Sequence, residues 1–365
     1  MEYDDAIDWI SNVRDKIPFF LGSIRGKSNR GFFNYTLSGD LRKTEDWGVF
    51  NSVCAARILF ILNKLSEKDQ DQISKFILSF EHNDGTIVDP FFLERYRFCQ
   101  LRSVLTSLDI NMYSSSKATA IRALTRSAYA GLHCLNNSPT KYYDAIPQNK
   151  NEIEQYINRL NWSEPWGAGS HFSALILFLV FQKSSTNQSN QQNTQDLINY
   201  AFSITNTFRN EDGSWGDHPE KMPNTQKING CMKMLLAYQW ANKKPENVNS
   251  MIDLCFACEV GGDGCNNLDN ILVLYECSKH TQYKHNEIVS FCLNRFDLYK
   301  KHWWQKEGGF SFFERKSINH LYGAKIAHQK PEPDIHGTWL HLYGLSMMAH
   351  ICGMNDEFNF QIPLI

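Results

Sequence analysis

Asp263, Cys265 and Asp269 fall in one short stretch of the chain, and Asp334 and His336 in another near its end. Carboxylate, thiolate and imidazole are all zinc ligands. If Asp263, Cys265 and His336 converged, they would hold Zn2+ with an open fourth position able to activate a thiol or a water. Asp269 and Asp334 read differently. Each is expected to open an apolar helix, where a carboxylate is a favourable cap. Held in an apolar pocket, such a carboxyl group keeps its proton and serves as an acid.

Other residue types add to this chemistry. His171, His218 and His336 each follow a glycine or aspartate turn near an expected helix start, which would place them on a common rim. Asp217 beside His218 would supply an acid/base pair. Arg95 and Arg102, along Glu94-Arg95-Tyr96-Arg97-Phe98-Cys99-Gln100-Leu101-Arg102, are suited to holding a diphosphate. Trp166, Trp215 and Trp339 would wall a cavity and stabilise cationic intermediates through their π faces, or else act as plugs over the turns.

The elements that must position these groups are helices. Val49, Val53, Ala56, Leu59 and Leu62 recur at helical spacing within 47–65, and a more polar helix is expected over 68–80. Apolar segments alternate with amphipathic ones along the rest of the chain: 90–108 with 115–135, 151–160 with 172–181, 197–208 with 226–240, then 247–258, 268–275, 286–299 and 334–352. Two concentric layers of helices would produce this pattern. Glycine turns punctuate it, as in Asn83-Asp84-Gly85-Thr86, Glu211-Asp212-Gly213-Ser214-Trp215 and Glu307-Gly308-Gly309-Phe310. With Trp166-Gly167-Ala168-Gly169 and Gly261-Gly262-Asp263-Gly264 included, the turns from Gly167 onward recur roughly every 45–50 residues. Gly85 lies about two such steps earlier, the range expected of a repeated helix pair. The Ser/Thr/Asn/Gln run over 183–195 reads as an exposed loop, and no alternating strand pattern is found. The expected fold is all-α, an (α/α)6 toroid over 45–365, with residues 1–44 forming a helix over 4–16 and an irregular lead-in.

Composition narrows the class. The chain of 365 residues is 42% hydrophobic and 13% aromatic, enough for a large core rather than disorder. A net charge of −2 gives no overall attraction to nucleic acid, so a nucleic-acid partner is not expected. No uncharged run is long enough for a membrane span. Ten scattered cysteines, several in apolar helical patterns, read as free thiols of a reducing cytoplasm.

Four motifs carry a family resemblance. Asp212-Gly213-Ser214-Trp215-Gly216 resembles the glycine–aromatic turn of squalene-cyclase-type repeats, and Asp263-Gly264-Cys265 the Asp-x-Cys zinc pair of protein prenyltransferases. Leu268-Asp269-Asn270-Ile271-Leu272 is similar to helix starts of class II terpenoid cyclases. Asp334-Ile335-His336-Gly337-Thr338 through Gly344-Leu345-Ser346 resembles the final prenyltransferase helix. Counted back from Gly344, the family's zinc histidine falls on Gly337, next to His336. The Asp-x-Asp-Asp and Asp-Asp-x-x-Asp motifs of the cyclases are absent. The resemblance to the terpenoid cyclase/prenyltransferase superfamily implies an isoprenoid-processing enzyme that binds an apolar polyene in its central cavity. Two other functions fit the same residues: a glycoside hydrolase or lyase on an α/α barrel, using a carboxylate pair such as Asp263 with Asp334, and a non-catalytic helical-repeat scaffold.

Overall fold

The computed structural model describes residues 2–107, 110–184, 188–258 and 261–365, without the side chains of 99–100, 102–116 and 188–190. Among these residues the regular structure is helical apart from two short ribbons, with irregular stretches such as 25–48 and 135–149 between helices. The helices are α1 Tyr3–Ile24, α2 Val49–Ile61, α3 Glu67–Leu78, α4 Pro90–Ser107, α5 Ile110–Cys134, α6 Lys150–Asn158, α7 Pro165–Ser184, α8 Gln188–Thr205, α9 Asn224–Trp240, α10 Val248–Phe256, α11 Gly264–Ser278, α12 His285–His302, α13 Ile335–Ile351 and α14 Asn355–Phe358.

Six helices contact one another in series. α2 packs on α5, α5 on α7, α7 on α9, α9 on α11, α11 on α13, and α13 returns to α2. α2 and α13 are buried almost all round, which explains why neither sequence shows an apolar stripe. Further helices lie against this set, the polar α3 on α2, α8 on α7 and α12 on α13, and the amphipathic α10 on α11. Of these, α3 buries one face, through Ile73, Phe76 and Ile77. Side-chain caps start several helices: Ser66 Oγ accepts from Asp69 N at 3.1 Å, and Asn149 Oδ1 from Glu152 N at 3.0 Å.

The two Asp-Gly turns at Gly85 and Gly213 share one construction. Asp84 Oδ1 accepts from Thr86 N at 3.0 Å and Thr86 Oγ1 at 2.7 Å; Asp212 Oδ1 accepts from Ser214 N at 3.0 Å and Ser214 Oγ at 2.6 Å. Each turn is closed by a bridge in matching register, Glu81 to Ile87 and Arg209 to Trp215. Gly213 at φ +81° is required there, since a Cβ would also lie 2.7 Å from Met251 Cγ. Trp215 is fully buried beneath its turn, with the Arg209 guanidinium 4.7 Å from its ring centroid. It is a plug.

Several boundaries differ from the sequence expectations. α1 runs on to Ile24, carrying Pro18 within it, because Ile17, Phe20, Leu21 and Ile24 continue its buried face. The expected loop over 183–195 is largely helix, α8 starting at Gln188. An outer helix needs one apolar stripe, which Leu197, Ile198, Ala201 and Phe202 supply, and its polar start is laced by pairs such as Gln192 Nε2 to Asp196 Oδ1 at 2.9 Å. α11 begins at Gly264, four residues ahead of expectation, so Asp269 lies inside the helix and Asp263 is its cap. Two ribbons were not foreseen: Trp303–Trp304 (β1) with Gly309–Phe310 (β2), and His320–Leu321 (β3) with Ala324–Lys325 (β4). No helix of the described residues is long and apolar enough to cross a membrane.

Candidate central cavity

The serial contacts of α2, α5, α7, α9, α11 and α13 surround a cavity of about 220 Å3 to which each of these helices contributes. Phe50 and Arg57 enter from α2, Arg126 from α5, Trp166 from α7, Lys233 from α9, Cys265 and Asp269 from α11, His336 and Trp339 from α13. The β3–β4 ribbon reaches in with Leu321 and Tyr322, and Ile365 lines it as well.

Close backbone approach sets the α7–α9 wall. A Cβ on Gly169 would come 2.9 Å from Lys233 Cβ, and one on Gly230 would come 2.7 Å from Pro165 Cβ. Both positions must be small for the helices to meet. That contact brings Lys233 Nζ to 5.4 Å from the Trp166 ring centroid.

Asp269 is the one acidic side chain among the described residues lining the cavity. The Asn229 amide, oriented so that its nitrogen faces two acceptors, donates to Asp269 Oδ2 at 2.9 Å and to Thr225 O at 3.0 Å. Asp269 Oδ1 is buried with no protein hydrogen bond among the described residues. Burial pushes this carboxyl up to about 7, against the pull of the Lys233 charge. Burial and the neighbouring Arg126 push the Lys233 ammonium down to about 8, with Asp269 acting the other way. Burial thus drives the carboxyl up and the ammonium down, and each group's charge opposes the other's shift.

Two arginines complete the polar part. Arg57 Nη2 donates to Ser127 O at 3.3 Å, and its guanidinium lies 4.8 Å from the Trp339 ring centroid, but its Nε has no hydrogen bond among the described residues. Arg126 Nη1 is likewise unsatisfied, and burial lowers this guanidinium to about 10. A buried guanidinium nitrogen without a partner is costly, and an anion bound in the cavity would relieve that cost at Arg57 Nε and Arg126 Nη1. His336 lies 3.1 Å, through Nδ1, from the Tyr35 hydroxyl, with the Phe50 and Phe312 rings at 5.0 and 5.1 Å. Burial, then the Arg57 charge, lower it to about 3, so it is neutral.

The expected zinc ligands do not form a set. Among the described residues no group of three or more His, Cys, Asp or Glu side chains is arranged to hold a metal. Asp263 Oδ1 accepts from Asn266 N at 3.0 Å as a helix cap, and His336 is engaged by Tyr35. Cys265 is accessible, but to the cavity, and burial pushes its thiol well up. At Gly337, where the family's histidine falls, a Cβ would lie 2.3 Å from Phe312 N, so no side chain fits.

Asp334 is also a structural group. It is fully buried outside the cavity lining, accepting from Gly337 N at 2.7 Å through Oδ1, and from Phe312 N at 2.8 Å and Ile318 N at 3.2 Å through Oδ2. Burial raises it to about 7, and these three donors pull it back. Its role is to hold the ribbon-bearing segment onto α13.

Of the other expected site residues, Trp166 and Trp339 line the cavity. Trp215 is the plug described above. His218 is exposed at the surface near Glu220, its Nδ1 3.7 Å from Oε1. Arg95 lies over Phe91, 5.5 Å from its centroid, and not in the cavity. The side chain of Arg102 lies outside the described residues. His171 is bonded to Arg122 in a neighbouring pocket, where burial and that cation lower it to about 4. The common histidine rim is therefore not formed. Missed were Arg57, Arg126, Lys233 and Tyr322. For the cations a signal existed, since each interrupts an apolar helical run where a charge must have a purpose.

Comparison of the chain with protein-family models, with curated proteins and with solved structures gives no match.

Proposed function

We propose that this chain is an (α/α)6 toroid and an isoprenoid-processing enzyme whose substrate is a short prenyl chain bearing an anionic, diphosphate-like head. The serial contacts of the six inner helices support the toroid. The observation that carries the function is Asp269: a buried acid near Lys233, its Oδ1 without a hydrogen bond among the described residues, in an aromatic-walled cavity that Arg57 and Arg126 also line. Arg57, Arg126 and Lys233 hold the head, and Trp166, Trp339 and Phe50 face the hydrocarbon. Asp269, protonated on the oxygen that Asn229 does not hold, gives its proton to the departing diphosphate, which leaves with the C–O electron pair. The allylic cation left against the aromatic rings is captured by water, whose proton returns to the Asp269 carboxylate, giving a prenyl alcohol and pyrophosphate. At about 220 Å3 the cavity falls below the roughly 300–1,000 Å3 of drug-sized sites, which favours a short chain.

The two-carboxylate sugar reading loses its pair, since Asp334 is committed to backbone donors and Asp263 to its cap. The test is titration of the protein with dimethylallyl and geranyl diphosphate, following tryptophan fluorescence, with pyrophosphate release as the readout of turnover. Asp269→Asn is expected to keep the binding signal and to lose roughly 100-fold or more of the turnover. Absence of a fluorescence response to either diphosphate would overturn the reading.

A further inference from the structure

The central cavity adjoins two further pockets on one side. A pocket of about 130 Å3 is lined by Arg122, Trp166, Gly167, His171 and Tyr322, and shares Trp166 and Tyr322 with the cavity. An outer pocket of about 500 Å3 shares Thr119, Arg122 and His171 with the first and adds Glu152, Tyr156 and Arg159. Through these shared residues the three adjoin in series at α5 and α7, which among the described residues are the most sparsely packed of the six inner neighbours. Where they meet the cavity stand two unusually accessible aromatics, Trp166 at 50% and Tyr322 at 41% exposure.

Tyr322 has a strained backbone. It and Gly323 form the two-residue loop of the β3–β4 ribbon, at φ +45° and +84°. Such loops take Asn-Gly or Gly-Gly, and a bulky aromatic with positive φ is a rare outlier. Strain of this kind persists where the side chain's position serves a purpose. Here it holds the tyrosine at the constriction.

We infer that ligands reach the central cavity sideways, between α5 and α7, through a cationic vestibule closed by a gate of Trp166 and Tyr322. Arg122 and Arg159 outweigh Glu152 in the vestibule, and His171 accepts from Arg122 and stays uncharged. The route therefore favours anions over cations, in line with the Arg57, Arg126 and Lys233 charges beyond it. The inference rests on the cavity being the ligand site, but its test needs neither turnover nor knowledge of the substrate.

Cys265 is the reporter, since it opens on the cavity and the other described cysteines are buried. Cys99 is replaced by serine to remove its thiol. The native protein is treated with sulfonatoethyl methanethiosulfonate (anionic) or its trimethylammonium analogue (cationic). The Cys265 thiolate displaces methanesulfinate to form a mixed disulfide, timed by mass spectrometry. A Cβ at Gly167 would meet nothing within 4 Å, so larger side chains project into the passage without disturbing the fold. Gly167→Leu is expected to slow labelling by about tenfold, Gly167→Ala to leave it near the wild-type rate, and Tyr322→Gly to speed it severalfold. The anionic reagent should react faster than the cationic one, and Arg122→Gln should narrow the difference. Because the raised Cys265 thiol slows every variant alike, the comparison is between rates: wild-type rates in Gly167→Leu, or an unchanged rate in Tyr322→Gly, would overturn the route. Equal rates for the two reagents would overturn its charge selection.

Discussion

Lys233 Nζ lies 5.4 Å from the ring centroid of Trp166, joining the first turn of α7 to the middle of α9 at the edge of the cavity. This contact holds a cation beside Asp269 without consuming it in a close ion pair. The carboxyl and the ammonium are both displaced toward neutrality, to about 7 and about 8. Removing the cation by Lys233→Met should raise Asp269 further, because the Lys233 charge is what opposes burial there. The expected result is an alkaline shift of the carboxylic-acid band, assigned by its loss in Asp269→Asn and followed by infrared difference spectroscopy against pH. An unmoved band would mean the two groups are not coupled.

His336 should leave a mark on acid stability. Its folded value, about 3, lies below the ordinary histidine value of 6.5. The folded state thus binds fewer protons than the unfolded chain between these limits, and stability falls as pH drops through that window. The slope from this one group approaches about 1.4 kcal/mol per pH unit. Asp269 works in the opposite sense: its raised value favours the folded state at low pH, and that contribution is lost as pH rises through about 7. Urea denaturation of His336→Gln at pH 6.5 and pH 5 should show a smaller acid-side loss than the wild type.

Arg126→Met is expected to stabilise the ligand-free protein and to weaken anion binding. The wild-type side chain is buried with Nη1 unsatisfied, and a flexible apolar replacement removes that cost. A melting temperature raised by a few degrees, with affinity for geranyl diphosphate reduced at least tenfold (about 1.4 kcal/mol), would match a site shaped for its ligand. A lowered melting temperature would instead make Arg126 a structural residue.

Asp334 should behave as a fastener. It accepts three backbone hydrogen bonds, and removing it leaves buried N–H donors unpaired at a cost of about 1–3 kcal/mol each. Asp334→Ala should therefore cost several kcal/mol, and Asp334→Asn less, because one acceptor oxygen remains. Turnover per folded molecule should be unchanged in Asp334→Asn. A selective loss of turnover in a fully folded Asp334→Asn would return this residue to the chemistry.

Gly337→Ala provides a sharp packing test. The added methyl would meet Phe312 N at 2.3 Å and Ser311 C at 2.5 Å, atoms of a backbone pinned by Asp334 and therefore unable to yield. Overpacking costs about 1–3 kcal/mol or more, and thermal unfolding should show at least that loss.

The helices and their two classes were legible because burial leaves its trace in the local order of residues. Apolar runs such as 172–181 became inner helices, and sequences with one apolar face became outer ones. The Asp-Gly turns were legible too, since their chemistry is contained within a few residues. Helix starts were less so: Asp263 and Asp269 are both plausible caps, and the bridge from Asp263 to Phe313, a contact made far along the chain, goes with the one that serves. The site was legible only in part. Asp269, Cys265, His336, Trp166 and Trp339 were singled out by residue type, but their company was not. Arg57, Arg126 and Lys233 come from three helices, and Tyr322 from a ribbon too short to have a periodicity. Local sequence determines which residues form helices and which faces seek burial. Which charges then share one cavity depends on how close the helices approach, and at Gly169 and Gly230 that is decided by contacts across space, which no local pattern encodes.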